Sequence, residues 1–447
     1  MLPYCIKILC IGCRMKEYLK AIINKSCVDK NFVKNFSKLI AGTASAQILS
    51  IITVPILTRL YGVEAYGIQA VYNSVVSMFY ILATGRYETA ILLPKDDKKS
   101  FSVCCLVILL SLFMSICWYF GYMVVKDTVI KFFGYGEVFD WLQWLPFTVI
   151  AISLSVVVTH WLNRMRDYRV MAVTGMLISI INFSAGSIYA ILYPGDNFGL
   201  YFNTFIGQLV VGLIGIFYCY KRKYFSKTWI SFSMLLHVAK KYINVPKYMV
   251  GGNILNDLST KLPVFLLQGI FGDLVVGYYA MSVKLLGMPL QLISSAVGNV
   301  FLRDAVDEWN NKGNCERSFK KTYYLLGVLG IIPSILIFIF SKDLFVIFLG
   351  ENWYMAGVYC VYLIPMYFIN FVFSPLSYVL DIANKRNIFF YLQLCRLAVV
   401  YLFMQVGYRL FFTADAVVIF YGIGFSLYYA IVLLYCRKVA INVSESV

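Results

Sequence analysis

The chain is a succession of long apolar runs joined by short polar connections, and this alternation leaves few folds open to it. A helix needs roughly 20 residues, at 1.5 Å each, to cross a hydrocarbon layer about 30 Å thick. Twelve runs come near or reach that length: 39–58, 67–93, 101–123, 142–161, 170–192, 198–217, 248–270, 276–300, 323–340, 354–380, 388–408 and 415–435. Composition agrees. The residues are 61% apolar and 14% charged, against about 25% charged in a soluble domain. The expected fold is therefore an all-α polytopic membrane protein with about 12 transmembrane helices. The even count puts both termini on one side.

Placement of the basic residues chooses the side. With the N-terminus cytoplasmic, 30 of the 39 Lys and Arg fall in inner segments, five fall in outer loops and four lie within spans. So lopsided a distribution orients the chain with N- and C-termini cytoplasmic. It also accounts for the formal charge of +17 without a compact basic domain, which excludes nucleic acid as a partner. Membrane lipids are the expected neighbours.

The longest connection, 218–247, is cytoplasmic in this orientation and divides the spans into two sets of six. Within it Trp229, Phe232, Leu235, Leu236 and Ala239 recur at helical spacing before Lys240 and Lys241, as in an amphipathic helix lying on the inner surface. The chain thus divides into an N-terminal segment 1–38, an N-lobe 39–217, a linker 218–247, a C-lobe 248–436 and a tail 437–447. The outer loops are too short to hold a soluble catalytic domain.

Trp118, Trp141, Trp144, Trp161 and Trp353 stand near span ends, where an interfacial belt would have them. The 35 Tyr and 35 Phe are read as membrane packing rather than as sugar-stacking platforms. None of the 12 cysteines sits clearly in an outer loop, so no disulfide is expected. Cys10 and Cys13 form a lone C-x-x-C, with no second pair and no histidine cluster to make a metal site. His160 fits an interfacial role beside Trp161, and no P-loop is present for ATP hydrolysis.

Two short segments repeat. Tyr61-Gly62 to Gly67 and Ala70, after the first span, matches Phe271-Gly272 to Gly277 and Ala280, after the seventh. Both read aromatic-Gly-x4-Gly-x2-Ala, at an offset of 210 residues. Glycines in such a place suit tight turns and close helix approach. Equivalent positions in the two halves point to duplication in the same orientation, with a substrate path between the halves.

Four basic residues, Arg86, Lys261, Lys284 and Arg396, and two acidic ones, Glu88 and Asp257, lie inside spans. A basic residue at a helix centre costs about 2.5–3.5 kcal/mol on insertion scales. Facing a wet cavity would remove that cost, and the balance is then a cationic cavity suited to an anionic substrate. Asp257 and Lys261, four apart, share a helix face and can pair. Arg86 and Glu88, two apart, should diverge on a helix. Glu88 and Asp257 are the candidates for ion coupling.

Three segments carry a family resemblance: Thr58-Arg59-Leu60-Tyr61-Gly62-Val63-Glu64-Ala65-Tyr66-Gly67; Gly85-Arg86-Tyr87-Glu88-Thr89-Ala90-Ile91-Leu92-Leu93-Pro94-Lys95-Asp96-Asp97; and Lys261-Leu262-Pro263 through Phe271-Gly272 and Gly277-Tyr278-Tyr279 to Pro289-Leu290. They resemble Wzx-type polysaccharide flippases of the MOP superfamily, over residues 33 to 436 or so. The resemblance implies a MATE-like, V-shaped pair of six-helix lobes. It implies movement of oligosaccharide repeat units on undecaprenyl pyrophosphate from the cytoplasmic to the outer leaflet of a bacterial inner membrane, for O-antigen, capsule or exopolysaccharide. Arg86 takes the family's R-Y-E position and Lys261 its basic position in the seventh span. Lys284 and Arg396 join them on charge and depth alone. No bound cofactor is expected; Na+, H+ or the membrane potential are the available drivers. A monomer is expected, with the polymerase and glycosyltransferases of the same pathway as partners. Two other readings stand beside this one: a multidrug exporter of the same fold, which for cationic drugs would want an acidic cavity, and a membrane-embedded glycan-processing enzyme.

Overall fold

The computed structural model describes residues 30–133, 137–225, 229, 231–383 and 385–441. Most of segment 1–38, its C-x-x-C, and the tail from 442 lie outside the described residues. Every regular element described is helical. In chain order they are α1 (Lys30–Leu60), α2 (Val63–Thr84), a 3-10 turn (Tyr87–Leu92), α3 (Asp97–Phe133), α4 (Glu137–Leu142), α5 (Leu145–Arg164), α6 (Tyr168–Leu192), α7 (Gly199–Lys221) and α8 (Phe232–Lys241). There follow α9 (Asn244–Phe271), α10 (Asp273–Lys312), α11 (Glu316–Leu349), α12 (Tyr354–Leu376), α13 (Val379–Ile382), α14 (Arg386–Phe411) and α15 (Ala414–Ile441).

A long helix overlies each of the twelve apolar runs. Nine segments among the described residues are long and apolar enough to cross a membrane. The three others differ in instructive ways. The described part of the first apolar run is a shorter apolar helix, Ser45–Leu60. Helices α2 and α9 have the length but are diluted by polar residues such as Gln69, Asn73, Asn253, Asn256 and Asp257. Those residues turn out to face a cavity. Apolar side chains exposed on α3, α6, α11 and α14, among them Phe120, Ile188, Ile347 and Leu402, form the surface that lipid would solvate.

Helices α1, α2, α3, α5, α6 and α7 pack into one lobe, and α9, α10, α11, α12, α14 and α15 into a second. Packing across the lobes is carried chiefly by α2 against α9 and α10. Its tightest point is the repeated glycine segment. A Cβ on Gly67 would lie 1.9 Å from the Asp273 carbonyl oxygen, and one on Gly277 would lie 2.1 Å from that of Val63. Asp273 and Gly277 are the 210-residue counterparts of Val63 and Gly67, so each copy of the repeat receives the other. Only glycine lets the two backbones approach so closely. Tyr66 and Trp353 close the same end edge to face, with ring centroids 5.4 Å apart.

Some expectations need correction. The run 67–93 is not one span: α2 stops at Thr84, and Gly85 and Arg86 both take left-handed backbone (φ 56° and 60°) before the 3-10 turn begins. Residues 301–312, expected as loop, continue α10 as helix. The tryptophan belt is largely interior. Trp141, Trp161 and Trp353 are buried and only Trp144 is exposed, because large rings fill the gaps where helix ends converge. The amphipathic helix of the linker is α8, and its faces divide the work: Leu235 and Val238 are buried, whereas Phe232 and Leu236 stay exposed for the membrane surface. Trp229 packs edge-on against Phe101 of α3.

Candidate functional site

Polar side chains recur every three or four residues along α2 (Gln69, Asn73, Ser77, Tyr80) and along α9 (Asn253, Asn256 or Asp257, Thr260 or Lys261). That spacing gathers them into one stripe per helix, and the two stripes face each other across the lobes. A cavity of about 290 Å³ lies between α2, α9 and α10; Gln69, Asn73, Lys261 and Lys284 are among its walls. A second, of about 390 Å³, continues along α2 and α9 toward the 3-10 turn, between Asn73, Ser77, Arg86, Asn253 and Asp257. Asn73 lines both, so the two form one groove. A third, of about 530 Å³, lies between α10 and α12 and meets the first at Val283 and Lys284.

Three of the four intramembrane cations reach this system. Arg86 sits at its 3-10 end, Lys261 at mid-groove, and Lys284 where the first and third cavities join. The Lys284 ammonium also stands 5.8 Å from the centre of the Tyr66 ring, a cation–π distance across the lobes. Asp257 accepts a hydrogen bond from the Ser77 hydroxyl at 2.7 Å, linking α9 to α2. The two residues expected to pair on α9 do not. Asp257 is engaged by Ser77, and no ion pair joins it to Lys261.

Arg86 and Glu88 reverse the expectation in the other direction. They form an ion pair at 3.2 Å. Divergence at i and i+2 holds only on a continuous helix, and here the chain turns at Gly85 and Arg86. Glu88 is 2% exposed, and beyond the ion pair neither carboxylate oxygen has a hydrogen-bond partner among the described residues. Around them the R-Y-E segment is a folded latch. Tyr87 donates to the Ala239 carbonyl of α8 at 2.9 Å, and Arg164 of α5 pairs with Asp97 at 2.8 Å while reaching the Ile91 and Lys95 carbonyls.

Arg396 is not among the residues that line these three cavities. It is 7% exposed and held by α9: its Nε donates to the Ser259 hydroxyl at 2.7 Å, and its terminal nitrogen donates to the Asn256 carbonyl at 2.7 Å and side-chain oxygen at 2.8 Å. The guanidinium also covers Phe425 at 5.8 Å. Charge and depth could not separate this bolt between α14 and α9 from a cavity cation. Replacing it, Arg396→Met, is expected to destabilise the C-lobe by about 2–4 kcal/mol, since it strips charged hydrogen bonds from buried polar partners. The check is a lower melting temperature in detergent. An unchanged melting temperature would contradict the role.

The uncharged groove residues Gln69, Asn73, Asn253 and Asn256 were not anticipated. Their helical periodicity within otherwise apolar runs was the available signal.

A search among curated proteins finds no significant match. Among solved structures, a lipid II flippase MurJ in an inward closed conformation aligns with a TM-score of 0.66 and 15% identity, over 90% of this chain and 87% of that one. An inward-facing multidrug resistance MATE family transporter of the MOP superfamily aligns at 0.62 and 15% identity, over 89% and 97%. An outward-facing transporter of that description aligns at 0.54 and 16%, over 92% and 97%. These likenesses establish a MATE-like fold for a multi-pass membrane protein. The family model described as polysaccharide biosynthesis protein matches residues 56–357, more than half of the sequence, and the chain belongs to that family.

Proposed function

We propose that this protein is a flippase for lipid-linked oligosaccharide. It would carry repeat units on undecaprenyl pyrophosphate from the cytoplasmic to the outer leaflet of a bacterial inner membrane. The observation that carries this reading is the interlobe groove, lined by Arg86, Lys261 and Lys284 against the single acid Asp257, in a chain of the polysaccharide biosynthesis family. A diphosphate is an acceptor-only, doubly charged group that such donors recognise. A head group taken into the groove between the lobes would leave its lipid tail in the bilayer.

The basic ends of the helices face the cytoplasm in this reading, and the Val63–Gly67 and Asp273–Gly277 contact seals the outer side. With the cell interior negative, each negative charge moved outward gains about 2.3 kcal/mol per 100 mV. The membrane potential therefore favours export of an anionic head group. Glu88 and Asp257 remain the carboxylates through which an ion could be coupled. An exporter of cationic drugs is the weaker reading, because the groove has more cations than acids.

The test is a leaflet-resolved assay of glycan-linked lipid in a deletion strain. The expected result is accumulation of the lipid-linked repeat unit in the inner leaflet and loss of surface glycan. Normal surface glycan together with raised drug susceptibility would favour the exporter.

A further inference from the structure

The cavity between α10 and α12 differs in chemistry from the groove it joins. Lys284, at its mouth, is its only charged wall residue. Beside apolar residues such as Met288, Leu290 and Phe371, the lining carries tyrosine rings, Tyr367 and Tyr378, and uncharged hydrogen-bonding groups, Gln291, Ser294 and Asn370. The Ser294 hydroxyl is buried, at 7% exposure for the residue, and has no hydrogen-bond partner among the described residues. Gln291 is exposed and Asn370 partly buried, and neither amide has a protein partner among the described residues. Buried polar atoms are nearly always satisfied, so one left open at a cavity wall marks where a ligand or water completes it.

The repeat places an equivalent wall in the other lobe. At the 210-residue offset α10 corresponds to α2, and α12 to α5. The α2 and α5 wall of the first lobe, with Ile152 of α5 in its lining, borders the cavity that holds Arg86 and Asp257. The equivalent walls are alike in kind: Asn73, Ser77 and Tyr80 line one, and Gln291, Ser294, Asn370 and Tyr367 the other, while Arg86 and Asp257 stand on the turn after α2 and on α9.

We infer that the α10–α12 cavity is a saccharide subsite, taking an uncharged pyranose of the glycan while the adjoining diphosphate lies by Lys284. The inference rests on the flippase reading and adds a location and a ligand class to it. A primary amide offers two donor hydrogens and an acceptor oxygen, which suits vicinal hydroxyls that both donate and accept. A tyrosine gives an apolar face with a polar tip, which matches the C–H face of a pyranose ring. The volume of about 530 Å³ is within the range of roughly 300–1,000 Å³ usual for small-molecule sites. A lipid tail would leave the buried Ser294 hydroxyl unsatisfied and cover the Gln291 and Asn370 amides without bonding them.

The experiment is photo-crosslinking in cells making their surface glycan. Benzoylphenylalanine is placed at Tyr378 in the cavity, at Asn73 in the groove, or at Tyr119 on the lipid-facing side of α3. The purified protein is then stained for carbohydrate. Label is expected at Tyr378 and Asn73 and not at Tyr119. Adding Gln291→Ala with Asn370→Ala should lower the Tyr378 label about tenfold, as for two lost neutral hydrogen bonds, and leave the Asn73 label unchanged. Carbohydrate at Asn73 but not at Tyr378 overturns the subsite and leaves the flippase reading standing. Lipid without carbohydrate at Tyr378 also overturns it, making the cavity a tail groove. No carbohydrate at either position, with normal surface glycan in the deletion strain, overturns the reading beneath it.

Discussion

Lys261→Ala combined with Arg86→Ala and Glu88→Gln is expected to abolish surface glycan while the protein still reaches the membrane. The third substitution is required by the geometry. Glu88 is almost fully buried and paired to Arg86 at 3.2 Å, so removing the arginine alone would strand a carboxylate in the interior and confuse misfolding with lost binding. Lys261 has no ion-pair partner among the described residues and can be cut back without such a debt. Each charged hydrogen bond to a phosphate contributes about 1.5–3 kcal/mol. Two together correspond to roughly 10²–10⁴ in affinity. Membrane level by immunoblot and surface glycan by electrophoresis give the two readouts. Wild-type glycan in the triple variant would sink the cationic groove as the head-group site.

Gly67→Ala should be comparably severe for a different reason. Its new Cβ would fall 1.9 Å from the Asp273 carbonyl oxygen, and backbone cannot swing aside as a side chain can. The lobes must separate at this end, at an overpacking cost of about 1–3 kcal/mol, and the sealed state loses population. Tyr66, now 5% exposed, lies beside the contact and can report it. In a background with the native cysteines replaced by serine, Tyr66→Cys should resist a membrane-impermeant maleimide, and adding Gly67→Ala should make it react. Gly277→Ala should act alike, through Val63. Unchanged labelling with normal glycan export would refute the seal.

Hydropathy made the twelve long helices legible, because the requirement for about 20 apolar residues applies run by run and needs no knowledge of neighbours. It also hid the break at Gly85. Ala90, Ile91, Leu92 and Leu93 keep the run apolar after the helix has ended, so the residue that mattered was the glycine in a C-terminal capping position. Arg86 and Glu88 were misread for that reason alone. Arg396 was opaque for another: its partners Asn256 and Ser259 are more than 130 residues away and come together only in the folded C-lobe. The groove's amides were overlooked because a single Asn or Gln scarcely lowers the mean of a span, and only their spacing betrays them. The repeat was readable as a pattern, whereas its reciprocity had to be seen in three dimensions.

That reciprocity is the signature of a two-fold interface, in which residue i of one copy meets residue j of the other and j meets i. Val63 with Gly277 and Gly67 with Asp273 obey it across a single chain. An ancestor half this length would have assembled through the same backbone-to-glycine contact as a symmetric homodimer, with identical walls on both sides of its path. Fusion would release the halves from identity: in the groove the N-lobe wall now carries Gln69 and Asn73, and the C-lobe wall carries Lys261 and Lys284. The division of labour along the groove is thus a record of divergence after duplication. Co-expressing residues 1–225 and 226–447 as separate chains would ask whether the old dimer can still find itself.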